Sequence, residues 1–270
     1  MEHIITVNNL HKAFDSEKVL KGVDLKVKPG QIFALLGTNG AGKTTMINIL
    51  STLLPHDKGE VNINGFDVKE SPHQVRQSIT LTGQFSALDE VLTGRENLRF
   101  IAKLSGLKSV EERVSQILEE VSMTKAADKR VKEYSGGMKR RIDIAMGLLA
   151  DQDILFLDEP TTGLDPEARK EIYGLIEKLV SSGKTIFLTT QYLQEAEKLA
   201  DYIAVLHNGK IAASGTFEEL QALYQRQDEA LDLEEIFFAV IEEEKEVRLG
   251  YDKTNFSTNR TTFEAPEEKW

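Results

Sequence analysis

The 270-residue chain contains no cysteine, which excludes a disulfide framework, a thiolate metal site and a redox pair. Cations are in short supply. Lys and Arg number 33 against 44 Asp and Glu, a formal net charge of −11, and this argues against a nucleic-acid partner, because phosphate backbones are held by clustered positive side chains. Long apolar runs are missing as well. IFALLG and ILFLD, among the longest, fall well short of the roughly 20 residues of a membrane span. The start, MEHIITVNNLHKAF, has no basic segment followed by an apolar stretch of the kind a secretion signal needs. These absences predict a cytoplasmic protein. What is present, 40% apolar and 29% charged residues, suits a water-soluble globular fold with enough chain for a sizeable core.

Hydrophobic periodicity organises the chain. Short β-rich segments come first: IITV at 4–7, GVDLKV at 22–27 and QIFALLG at 31–37. The period turns helical from Lys43 to Leu53, and Pro55 ends it. Residues from about 90 to 132 lack strand signals and predict a helical insert. In it Ser109 is the expected N-cap, with Glu112 three residues on as in a capping box. From Asp153 onward ILFL, PEARKEIYGLIEKLV, TIFLTT, LQEAEKLA and YIAVL alternate strand with helix, the pattern of a parallel sheet with crossover helices. GKIAASG predicts a late strand and FEELQALY a helix. The chemistry-bearing domain is expected over 1–240. DLEEIFFAVIEEEKEVRLG predicts a short amphipathic helix running into an acidic tail, 241–270, with weak order beyond about Gly250.

GTNGAGKTT, residues 37–45, satisfies G-x-x-x-x-G-K-[ST] between an apolar strand and a helix. Gly37, Gly40 and Gly42 permit backbone conformations closed to other residues, so that the N–H groups along Thr38, Asn39, Ala41 and Thr45 can turn inward around a phosphate at the positive end of the helix. Lys43 reaches the β- and γ-phosphates, and the Thr44 hydroxyl completes a Mg2+ shell. A cradle alone says only that a nucleoside triphosphate binds. DILFLDEP, residues 153–160, ends a buried strand in two carboxylates, of which Asp158 can hold the magnesium and Glu159 can face the attacking water. YSGGMKRR, residues 134–141, puts Ser135 at a helix N-cap with Gly136 and Gly137 beside it, either a plain capped helix or a second anion site.

The ordered series GTNGAGKTT, the glutamine of LTGQFS, YSGGM, ILFLDEP and TTGLDP resembles the ATP-binding-cassette ATPases, the nucleotide-binding subunits of ABC transporters, over roughly residues 1–240. The resemblance implies an α/β P-loop NTPase fold with a mainly parallel sheet, an antiparallel β subdomain near the N-terminus and a helical subdomain inserted between Gln84 and the YSGGM motif. It implies an ATP hydrolase using ATP and Mg2+. Two cassettes would pair head to tail, as a homodimer or with a sibling, so that Ser135, Gly136 and Gly137 of one chain cap the γ-phosphate held by Lys43 of the other. Gln84 would sense the metal or the attacking water and link it to the helical insert, where an integral membrane permease docks on the inner face of the membrane. Phe14 matches the position where an aromatic ring stacks on adenine, and Asp165 would lie either at the dimer seam or simply as an N-cap. Met138 departs from the glutamine usual after the two glycines.

Gln191 departs too. The family normally carries histidine after the strand equivalent to TIFLTT, and glutamine can still donate to a phosphate oxygen and accept from water, but it carries no charge and cannot titrate. It is either a functional substitute or a residue that only caps the next helix. LTTQYLQEAE and LTGRENL resemble the ATP-binding subunits of drug-resistance exporters of the daunorubicin type, a pattern shared with polyketide, peptide, lipid and sodium exporters. The expected role is the motor of a transporter. A regulatory ATPase acting on a protein complex and a non-hydrolysing nucleotide binder share the same motifs.

Overall fold

The computed structural model describes residues 2–84, 87–224 and 231–248, with side chains of the last segment through Glu242. Its centre is a six-stranded sheet in the order β10-β9-β3-β8-β7-β6. β3 (Ile32–Leu36), β6 (Ile79–Thr82), β7 (Ile154–Asp158), β8 (Thr185–Thr190) and β9 (Tyr202–His207) are parallel, and β10 (Lys210–Gly215) runs antiparallel on the edge.

Every residue of β3, β7 and β8 is buried, because both faces of this sheet are covered and the strands need no polar side. Alternate residues serve the two covers. Phe33, Phe187 and Phe156 stand in register across three strands on one face, with ring centroids 5.1 and 5.5 Å apart. Each is fully buried, stabilising the fold by about 1.5–3 kcal/mol. That face packs on α1 (Lys43–Leu50) and on a four-stranded antiparallel sheet, β2-β1-β4-β5, made of β1 (Ile5–Phe14), β2 (Glu17–Val27), β4 (Lys58–Ile63) and β5 (Phe66–Asp67). Ala34, Leu188, Leu155 and Leu157 point the other way, into a larger core with the helices.

Those helices include α3 (Gly94–Leu104) and α4 (Val110–Glu120) of the insert, α5 (Gly136–Leu148), α6 (Pro166–Ser181) and α7 (Leu193–Leu199). α8 (Phe217–Tyr224) and α9 (Leu233–Arg248) close the described chain, with Leu233, Ile236, Phe237 and Val240 packed into the same core. α9 runs straight through the expected boundary at 240. The expected weak order beyond Gly250 lies outside the described residues.

Two local expectations are corrected, and three elements were missed. α1 stops at Leu50, not Leu53, because Thr52 turns left-handed (φ 63°) and the Leu53 and Thr52 amides donate back to the Asn48 and Ile49 carbonyls, a Schellman closure. Ser109 is an N-cap without a side-chain bond; the capping box lies instead at Thr93 and Glu96, heading α3. The β4–β5 hairpin was legible in Asn64-Gly65, whose positive φ values of 51° and 81° make the two-residue turn, but β4, β5 and α2 (Pro72–Ser78) were not anticipated. Among the described residues no helix is long and apolar enough to cross a membrane.

Candidate nucleotide site

Parallel strands deliver the site because their carboxyl ends share one edge, and in open α/β sheets ligands sit there. β3 ends in the loop 37–42, β6 in Gly83 and Gln84, β7 in Asp158 and Glu159, and β8 in Gln191. Between them opens a cleft of about 570 Å3, walled by Asn39, Gly40, Gly42, Lys43, Thr44 and Thr45 on one side and by Gln84, Glu159 and Gln191 on the other.

The loop has the expected form. Gly40 and Gly42 have φ of 81° and 110°, and a Cβ on Gly37 would stand 2.5 Å from the Leu206 carbonyl, so side chains are barred there by strain or by contact. Lys43 is 4% exposed; its Nζ donates to the Gly37 and Thr38 carbonyls at 2.9 and 3.2 Å and lies 3.2 Å from Glu159 Oε1. Glu159 Oε2 accepts from Gln84 Nε2 at 3.4 Å and from Thr162 Oγ1 at 3.2 Å. One carboxylate thus ties the phosphate-loop lysine to the glutamine expected to sense the reaction. Its backbone is left-handed at φ 46°, a strained state for a non-glycine residue that surrounding bonds must hold.

Thr189 provides part of that hold. It stands opposite Asp158 in the β7–β8 ladder, its Oγ1 donates to Asp158 Oδ1 at 2.5 Å and accepts from the Glu159 amide at 3.2 Å, and its carbonyl accepts from the same amide. Asp158 is buried behind it. Among the described residues no group of three or more histidines and acids could hold a metal. Thr44 and Gln84, which line the cleft, and the buried Asp158 all carry hard oxygen donors, a set that fits Mg2+ completed by phosphate oxygens.

Other expected residues stand apart from the cleft wall. Phe14, at the end of β1, is 45% exposed with Lys12 Nζ 5.4 Å from its ring centre, so it is not core. Ser135 caps α5 by accepting from the Met138 amide, and Ser135 and Gly136 are exposed. Gly137 is buried, and a Cβ on it would come 2.7 Å from Ala168 Cβ, so close packing of α5 on α6 also requires a glycine here. Asp165 caps α6 by accepting from the Ala168 amide at 2.9 Å.

Sequence reasoning missed Val19, which lines the cleft from β2, and also Thr189, Glu195 and Arg140. Glu195, in α7, is fully buried, with Oε1 accepting from Thr161 Oγ1 at 2.7 Å; burial pushes its carboxyl above the ordinary value against the opposing help of Thr190 and Thr161. Arg140, in α5, is 8% exposed and paired with Asp143 at 3.0 Å, and burial pulls its guanidinium below the ordinary arginine value. An arginine and an acid three apart in a helix that is otherwise core-facing were the available signal.

A phosphate loop at a strand end, two carboxylates on a neighbouring strand and glutamines beside them define a P-loop nucleotide hydrolase. The ABC transporter family model matches residues 20–162. A daunorubicin resistance ATP-binding protein of Streptomyces coeruleorubidus is 46% identical over 81% of this chain and 70% of its own length. A solved ATP-binding subunit of an ABC transporter superposes with a TM-score of 0.77 at 29% identity, covering 88% of this chain and 99% of that one. A dimeric ATP-binding cassette solved in a post-hydrolysis state with ADP and phosphate superposes at 0.69 with 25% identity, covering 78% and 98%. The chain belongs to the ABC transporter family and is an ATP hydrolase.

Proposed function

We propose that this chain is the ATP-driven subunit of an exporter of drugs or other hydrophobic compounds, working at the inner face of the cell membrane on a separate integral permease. The single observation that carries the reading is the Glu159 carboxylate, shared between Lys43 and Gln84 in one cleft with Gln191. The relative named for daunorubicin resistance supports the cargo class, and the dimeric cassette supports pairing of two chains.

Lys43 neutralises the β- and γ-phosphates of ATP, sharing its charge with Glu159. Thr44, Asp158 and Gln84 hold Mg2+, which supplies neutralisation of the phosphoryl oxygens when bound. Glu159 accepts the proton of the attacking water, and Gln191 orients that water by accepting one of its hydrogens while donating to a phosphate oxygen. Ser135 and Gly136, exposed on α5, meet the γ-phosphate of a second chain, so hydrolysis cuts the cross-link between the two and opens them. Phe14 stacks on the adenine. The permease receives the stroke through the helical insert.

The test is E159Q. Phosphate release is expected to fall by about 10²–10⁴-fold, while ATP still binds and a nucleotide-stabilised dimer accumulates in size-exclusion chromatography. Native turnover would remove Glu159 from the chemistry, and a monomer in saturating ATP would remove the paired mechanism.

A further inference from the structure

One buried side chain bonds the backbone on either side of Glu159 and directly before Gln84. The Arg140 guanidinium donates from Nε to the Pro160 carbonyl at 2.9 Å, from Nη2 to the Asp158 carbonyl at 3.3 Å and from Nη1 to the Gly83 carbonyl at 2.7 Å. Asp158 and Pro160 are the two neighbours of Glu159 in the chain, and Gly83 directly precedes Gln84. Asp143, one turn along α5, accepts from Arg140 Nη1 at 3.0 Å and from the Ala87 amide at 3.4 Å, so the arginine–aspartate pair grips the Gln84 segment at Gly83 and again at Ala87.

The choice of residue is informative. A planar fork with five donors can span three carbonyls that point toward one buried spot, and a lysine ammonium cannot. Nothing in ordinary helix packing asks for a buried cation in α5. The carbonyls it gathers belong to the ends of β6 and β7, and between two of them sits Glu159 in its strained left-handed backbone. Arg140 itself does not line the cleft.

We propose that Arg140 is a positioning residue for hydrolysis, which, with Asp143 as its anchor, sets the distance and orientation between Glu159 and Gln84. The proposal rests on the reading of those two residues as the handlers of the attacking water. Arg140 lies in the helix that Ser135 caps.

The test compares R140K, E159Q and the double variant by steady-state phosphate release and by ATP affinity. R140K keeps the charge that Asp143 needs and loses the fork. Its kcat is expected to drop about tenfold or more while ATP affinity stays within about twofold, because only an interaction felt in the transition state is removed. R140K in the E159Q background is expected to leave the residual rate where E159Q alone puts it, as residues acting through one another do. An unchanged kcat in R140K, an affinity falling in step with kcat, or an additive loss in the double variant each overturns the proposal. Should R140K melt without cooperativity, R140M/D143L, which replaces the pair by apolar side chains of similar volume, is held to the same three outcomes. Native turnover in E159Q would instead remove the reading of Glu159. Native turnover in R140K beside an inactive E159Q removes only the role of Arg140.

Discussion

At position 191 the cleft has glutamine where related cassettes normally carry histidine, and the exchange alters charge more than reach. Gln191 lines the cleft with Glu159 and Lys43, and α7 has Tyr192 at its N-cap with no side-chain cap bond. A neutral amide contributes one ordinary hydrogen bond, about 1 kcal/mol, so Q191A is expected to lose about fivefold in kcat with little change in KM. The pH profile discriminates further. Q191H brings an imidazole that titrates near 6.5, so its turnover should acquire a limb in that region that the native chain lacks. Equal rates for Q191A and the native chain would assign Gln191 no part in hydrolysis.

Among the elements, α5 packs closely on α6 at their first turns. Two capped helix starts meet there, one at Ser135 and one at Asp165, with Gly137 facing Ala168. G137A is expected to force the two helices apart and to destabilise by about 1–3 kcal/mol, lowering Tm by several degrees. G136A, whose Cβ would meet only the Leu164 side-chain tip at 3.2 Å, should leave Tm nearly unchanged; thermal melts of the two decide it. This junction also marks the limit of what the sequence made legible. The phosphate loop and Asp158–Glu159 could be read because their chemistry and chain order are local: strand, turn, lysine, hydroxyl. Gly137 reads in the sequence only as a ligand glycine, and its packing against Ala168, far along the chain, shows only in the fold. Arg140 reads as a surface charge until Gly83 and Pro160 converge on it. The residues missed are those whose meaning depends on contacts across long sequence separation.

For the molecule as a whole, Glu195 makes stability depend on pH in a direction opposite to the acids that their partners hold low. Asp57, Glu96, Glu111, Asp128 and Asp151 are all held below the ordinary carboxylate value by hydrogen bonds to backbone amides or basic side chains, so what they contribute is present above the unfolded value and fades as pH falls. Glu195 is buried where α7 meets the Thr161 turn and Tyr173 of α6, and desolvation raises it while Thr190, Thr161, Arg169 and Arg140 pull it down. The same surroundings push the Tyr173 phenol up to about 12. For a carboxyl raised on folding, its contribution is complete below the unfolded value of 4.5 and is lost as pH climbs through the folded one, because the folded state must then bury a charge. E195Q keeps the shape and an oxygen for the Thr161 hydroxyl but cannot ionise. Its Tm should therefore match the native chain at about pH 4 and exceed it at about pH 8, with the exposed acids cancelling in the difference. A native chain as stable as E195Q or more so at the higher pH would mean that Glu195 gains more from Arg140 and Arg169 as an anion than it loses by leaving water.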